Sequence, residues 1–267
     1  MNSIIHVINE IWTNRKRMLR IVRYDIKIES RSAYLGSLWE FIVPLIQIGT
    51  FWLVFGIGIR GGEPINGTPF ILWLLAGLVP WFFFNRGITG GSSSIVDKAG
   101  VIFKIKYPIS TVPIGAVLRC LYTHVIFIGI LLIIFLFYGM RPEIYWLSLV
   151  YYILFTTFFL SALAMVSSVI VRLATDFKPL IASLMQILFF LTPIVWHENY
   201  LPNWVLRIFS ANPVRYVVMG FRGSLLEQNH FFEFPWRIAF FWSVTFVLFI
   251  FGCWLQKKFS HRFVDWT

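Results

Sequence analysis

Acidic residues are scarce in this chain of 267 residues, with Asp and Glu together numbering 12 against 23 Lys and Arg. Only Glu40 falls inside a long apolar run, near its start. Carriers driven by protons or sodium place ionisable or unwound sites near the bilayer midplane, so ion coupling is disfavoured. Cysteine is equally sparse: Cys120 and Cys253 both lie within apolar runs, where a thiol acts as a small hydrophobe, and neither a disulfide nor a metal pair is expected. The histidines His6, His124, His197, His230 and His261 are scattered, without metal-ligand or HExxH spacing. His197-Glu198 is the nearest approach to an acid–base pair and reads as interfacial polarity. No lysine is followed by Ser or Thr, so there is no Walker A loop. Gly56-Ile57-Gly58-Ile59-Arg60-Gly61 matches GxGxxG by letter only, since it ends an apolar run with no strand before it. A membrane enzyme or scaffold acting on lipid-linked sugars is the competing class, and it lacks the acid or metal cluster it needs.

What is abundant is hydrocarbon. The chain is 58% hydrophobic and 13% charged, with mean hydropathy +0.75, more apolar surface than one soluble core can hide. It reads as an all-α integral membrane protein. The net charge of +11 lies in the gaps between apolar runs, where topology and anionic headgroups account for it, so no nucleic-acid partner is expected. The amino terminus has no signal-peptide layout, because charge interrupts its apolar residues.

Ile4, Ile5, Ile8, Ile11, Trp12, Leu19 and Val22 recur at helical spacing, with Asn9, Glu10, Arg17, Arg20 and Arg23 largely opposite. This predicts a helix in the cytoplasmic headgroup region within an amphipathic segment, residues 1–34. A transmembrane domain over 35–267 follows, with spans at about 38–59, 70–93, 112–138, 144–171, 179–196 and 236–255. The second is apolar only to Phe84 and contains Pro80, which predicts a kink or tilt and a lower end sheltered by protein. The third and fourth are joined by Gly139-Met140-Arg141-Pro142 as a helical hairpin. From Leu201 to Leu226 the chain is amphipathic and split by Asn212-Pro213, which predicts two short re-entrant helices rather than an ordinary external loop. Sixteen cations fall on the side of the termini and six on the other, with Arg119 inside the third span. Both termini are therefore expected in the cytoplasm.

The same count puts Asp97 to Pro108 inside. Asp97 can cap a short helix and Pro108 can end it. Val101, Ile102, Phe103 and Ile105 offer an apolar surface flanked by Lys98, Lys104 and Lys106, which suits contact with a separate ATPase. Phe, Trp and Tyr total 51 residues, 19% of the chain. Phe51, Trp52, Phe55, Trp73, Trp81, Phe82, Phe189, Phe190 and Trp196 lie in the outer halves of spans, where aromatic faces can line a path for sugar rings.

Several local patterns then coincide. Tyr34-Leu35-Gly36-Ser37-Leu38-Trp39-Glu40-Phe41-Ile42-Val43-Pro44-Leu45, Ala76-Gly77-Leu78-Val79-Pro80-Trp81, Ser92 to Pro113, Arg172 with Asp176, Phe189-Phe190-Leu191-Thr192-Pro193-Ile194, and Asn212-Pro213 followed by Arg222 together resemble the ABC-2 type permeases that export lipid-linked polysaccharides. Within that family the chain looks most similar to the permeases of wall teichoic acid exporters, and the O-antigen and capsule exporters share the same patterns. The resemblance implies a homodimer paired with two ATP-binding subunits in a bacterial cytoplasmic membrane. It implies no cofactor in this chain, with ATP and Mg held by the partner. It also implies an interface helix at Ile4 to Val22, a coupling helix at the Asp97 stretch and re-entrant helices at Trp204 to Leu226. A diphosphate-linked polymer would first meet Arg20, Arg23, Lys27 and Arg31, whose guanidinium groups suit phosphate oxygens.

Overall fold

The structure, a computed structural model, describes residues 2–29, 36–102, 107–198 and 202–264. Every named element among these residues is helical. Helix α1 (Asn2–Glu29) is followed by α2 (Trp39–Phe51), which continues as a π-helix over Trp52–Ile59. Next come α3 (Phe70–Asp97), the single turn α4 (Ala99–Ile102), α5 (Thr111–Phe137) and α6 (Ser148–Leu173). The chain closes with α7 (Phe177–Leu191), α8 (Asn203–Phe209), α9 (Pro213–Leu226) and α10 (Pro235–Val264).

Among the described residues, five helices are long and apolar enough to cross a membrane: Trp39–Ile59, Phe70–Asp97, Thr111–Phe137, Ile144–Leu173 and Pro235–Phe259. Together they make this a membrane protein. The stretch expected over 179–196 is an apolar helix of 15 residues, Phe177–Leu191, short of the roughly 20 that cross the hydrocarbon. Its stop is local chemistry. Pro193 restricts the residue before it to extended backbone, and Thr192 takes φ −97° and ψ 136°.

Helix α3 is the centre of the bundle, with 78% of its apolar window buried against 17% for Trp39–Ile59. A helix that is hydrophobic all round belongs in such a place. It runs on past Phe84, and its small polar end is sheltered by protein, as predicted. Ser92, Ser93 and Ser94 are buried, and their hydroxyls donate to the Thr89 carbonyl, the Asp97 carboxylate and the Gly91 carbonyl. Gly87 and Gly91 form a small-residue seam against α6. A Cβ on Gly87 would stand 2.6 Å from Leu160 and one on Gly91 2.7 Å from Ala164, so only glycine lets the backbones approach this closely.

The α5–α6 hairpin closes as foreseen. Gly139, at φ +83°, donates to the Leu136 carbonyl while Met140 donates to Phe135, the paired bonds that cap a helix through a left-handed glycine. Helix α1 packs on α5 and α10 through Val7, Met18 and Val22, which are buried. Ile5, Ile8, Trp12 and Leu19 form a second, exposed stripe. The apolar set read from the sequence thus divides between a bundle-facing side and an outward side.

Candidate functional site

Three constellations stand out, and two lie at opposite ends of α3. Where α3 begins, Arg222 of α9 is 1% exposed. Its guanidinium donates to the carbonyls of Pro193 at 2.5 Å and Ile194 at 2.8 Å, and lies 3.3 Å above the Trp73 ring. These carbonyls belong to the turn that follows the end of α7 at Leu191, outside any helical ladder, and the arginine takes them. Gly77 makes the space, since a Cβ there would come within 2.7 Å of the guanidinium. Asn212 caps α9 by accepting from the Val214 amide at 2.9 Å and donates to the Thr192 hydroxyl at 3.0 Å. Three of the sequence patterns, around Gly77, Thr192-Pro193-Ile194 and Asn212 to Arg222, therefore meet in one knot. Beside it, Arg215 and Glu198 form a two-bond ion pair at 2.5 and 2.6 Å.

Where α3 ends, α1, α2, α3 and α5 surround a cleft of about 530 Å³. The Glu40 carboxylate accepts from Thr123 at 2.6 Å and lies 3.4 Å from Arg119 and 3.7 Å from Arg86. Arg86 also donates to the Glu40 carbonyl at 2.8 Å. Lys98 pairs with Asp25 of α1, and the Ser110 hydroxyl donates to Glu10 at 2.6 Å, so two polar contacts tie α1 to the segment between α3 and α5. A second cavity of about 330 Å³, lined almost entirely by carbon, shares Asp25 and Lys98 with this cleft. Burial raises the pKa of its Tyr107 phenol above the ordinary value, partly offset by a hydrogen bond with Thr111.

The third constellation is a cleft of about 370 Å³ between α2, α3 and α7. Phe51, Trp81, Phe82, Phe189 and Phe190 line it together with Gln47, Asn85 and Gln186. Phe51 stacks on Phe189 at 5.1 Å between centroids, and Trp81 tilts against Phe189 at 5.2 Å. Aromatic faces beside amide groups offer both surfaces that a sugar ring presents.

The aromatics named from the sequence thus divide. Five share the cleft, Trp52 and Phe55 sit on the π-helix, Trp73 lies under Arg222, and half-buried Trp196 donates to the Phe190 carbonyl at 3.0 Å. Of the cations named for headgroup attraction, Arg20, Arg23 and Lys27 are exposed on α1, and Arg31 lies outside the described residues. In the coupling stretch, Asp97 is the last residue of α3, accepting from Ser93 at 2.5 Å and from Lys178 at 3.1 Å. Val101 and Ile102 belong to α4, while Phe103, Lys104, Ile105 and Lys106 lie outside the described residues. The sequence reading missed Gln47, Asn85 and Gln186, and did not join Glu40 to Arg86, Arg119 and Thr123. The signal was there in both cases, as polar residues within or beside apolar runs. Among the described residues no group of three His, Cys, Asp or Glu is placed to hold a metal ion.

A sequence profile of the ABC-2 type transporter family matches residues 17–226. An O-antigen export system permease protein of Myxococcus xanthus is 25% identical over 227 residues, covering 84% of this chain and 86% of its own length. Two O-antigen export system permease proteins of Klebsiella pneumoniae are each 23% identical over 246 residues, covering 92% of both chains.

Proposed function

As the chain belongs to the ABC-2 type transporter family, we propose that it is the transmembrane subunit of an ATP-driven exporter of a lipid-linked cell-envelope polysaccharide. The observation that carries this reading is the similarity, over most of the chain, to permeases of O-antigen export. That similarity favours an O-antigen-type polymer, whereas the wall teichoic acid reading rests on the local patterns alone. The chain works as a homodimer in the bacterial cytoplasmic membrane with both termini inside, in keeping with sixteen cations on that side.

ATP and Mg are bound by a separate ATPase, because this sequence has no phosphate-binding loop. The ATPase meets the stretch from Asp97 to Pro108. Its closure biases the permease between inward and outward shapes, which requires differential contact with the two. The cleft of Phe51, Trp81, Phe82, Phe189 and Phe190 offers sugar-compatible faces along the route, and α8 and α9 shape the outer exit.

The test is surface display of polymer in cells. Depleting the partner ATPase abolishes it, and Phe103→Asp abolishes it or releases the ATPase on purification while the protein still inserts. Undiminished export without any ATPase sinks the pump reading, and unchanged export and complex formation in F103D remove the stretch as the contact. Competition between purified lipid-linked O-antigen and teichoic acid precursors decides the cargo.

A further inference from the structure

Helix α1 contains neither glycine nor proline, so none of the residues that soften or kink a helix interrupts its 28 residues. At 1.5 Å per residue it is a strut roughly 42 Å long. Its two halves sit in separate small cores. Val7, with Ile4 and Ile11 beside it, packs with Met165 of α6 and with Phe249 and Cys253 of α10. Ile21 packs with Ile95 at the end of α3, with Tyr107 and with Val112 of α5. Polar contacts fasten the same strut to both flanks of the segment between α3 and α5. Lys98, just past α3, pairs with Asp25, and Ser110, just before α5, donates to Glu10 at 2.6 Å. Glu10 and Asp25 are about 22 Å apart along the helix. A rod held at one point can pivot, but two pins this far apart fix its direction as well. The Lys98 and Asp25 side chains are 31% and 22% exposed, and ion pairs open to water add little to stability. Their position matters more than their strength.

We propose that Glu10 and Asp25 are positioning residues of energy coupling: they make α1 move as one body with the segment between α3 and α5, and α1 carries that displacement to α6 and α10. This rests on the reading that an ATPase presses on the stretch from Asp97 to Pro108. Helices α3 and α5 receive the push directly, because the chain continues into them on either side. Helix α10 packs chiefly on α6 and α1, so α1 is its direct connection to the side where the ATPase acts. The core around Val7 is where the strut hands on its displacement.

The test uses cells that carry the ATPase, in a Cys120→Ser background, and reads surface polymer, ATP hydrolysis by the purified complex and thermal unfolding. Asp25→Cys with Lys98→Cys, and Glu10→Cys with Ser110→Cys, remove the pins. Each pair is expected to lower export about threefold or more at an unchanged rate of ATP hydrolysis, while the ATPase still co-purifies and the unfolding midpoint stays near that of the parent. A short membrane-permeant bis-maleimide joining each cysteine pair is expected to restore export, because a covalent pin replaces the polar one. Thr13 and Lys16 lie exposed between the two cores. Thr13→Gly with Lys16→Gly softens the strut there and lowers export in the same way, whereas Thr13→Ala with Lys16→Ala removes the same side chains and leaves export intact. Full export in both unlinked cysteine variants, a loss that linking deepens or fails to relieve, or equal export in the glycine and alanine variants overturns the proposal. Release of the ATPase from the unlinked variants puts these residues in the contact itself and overturns their positioning role. Full export that persists without any ATPase overturns the exporter reading instead.

Discussion

Arg222 is the residue on which the α9 side of the molecule turns. A guanidinium buried in a membrane protein is tolerated only where its donors are met, and here the carbonyls of Pro193 and Ile194 and the face of Trp73 meet them. Removing it exposes those carbonyls to a dry interior, at about 1–3 kcal/mol for each group left unpaired. Arg222→Met is therefore expected to lower the midpoint of thermal unfolding clearly. Arg222→Lys is expected to recover little, because an ammonium reproduces neither the fork nor the stacking. Gly77→Ala is expected to act like a weaker Arg222 variant, since its methyl displaces the same guanidinium. Unfolding curves of the purified protein in one detergent check this, and an unaltered midpoint in Arg222→Met contradicts the knot.

Between elements, the closest approach is the seam of α3 on α6. Gly91→Ala places a methyl 2.7 Å from the Ala164 methyl, and overpacking of this kind costs about 1–3 kcal/mol. Ala164→Gly in the same protein reopens the space and is expected to restore part of the loss, less the roughly 1 kcal/mol that glycine costs inside a helix. Thermal unfolding of the single and double variants measures the coupling, and strictly additive losses contradict direct contact. The element scale is also where the sequence is easiest and hardest to read. The hairpin at Gly139 is legible because a glycine that must take positive φ and a following proline are local signals. The polar half of α3 was harder, because Asn85 to Ser94 look like a span's end until α6 covers them. The short α7 was harder still, since its apolar run continues to Trp196 while Pro193 has already stopped the helix.

At the scale of the whole molecule, the proposed orientation rests on charge. By the positive-inside rule the α1 end, with the cleft of Glu40, Arg86 and Arg119, is expected in the cytoplasm. In a Cys120→Ser background, Glu63→Cys is expected to react with a membrane-impermeant maleimide in intact cells, and Lys258→Cys only after permeabilisation; both positions are exposed. The reverse pattern inverts the topology and removes the Asp97 to Pro108 stretch as a contact for a cytoplasmic ATPase. The apolar faces that α2 and α10 leave exposed suit lipid or, in the proposed homodimer, a second copy of the chain.

The sequence by itself determined the class of molecule, five of its long helices, the hairpin and the break at Asn212-Pro213. Each rests on local composition, on runs long enough to cross a bilayer or on residues whose backbone preferences act within a few positions. It also marked five of the cleft's aromatics, because large rings announce themselves by type. Only the tertiary structure decided that α3 is central, that α1 divides its apolar residues between bundle and surroundings, and that Glu40 meets Arg86 and Arg119. Glu40 lies 46 and 79 positions from Arg86 and Arg119, Trp73 of α3 lies 149 from Arg222, and no local preference encodes which helices become neighbours. Arg222 shows the difference plainly. Its position among apolar residues is visible in the sequence, but its partners arise only because the turn after α7 brings the Pro193 and Ile194 carbonyls against α9.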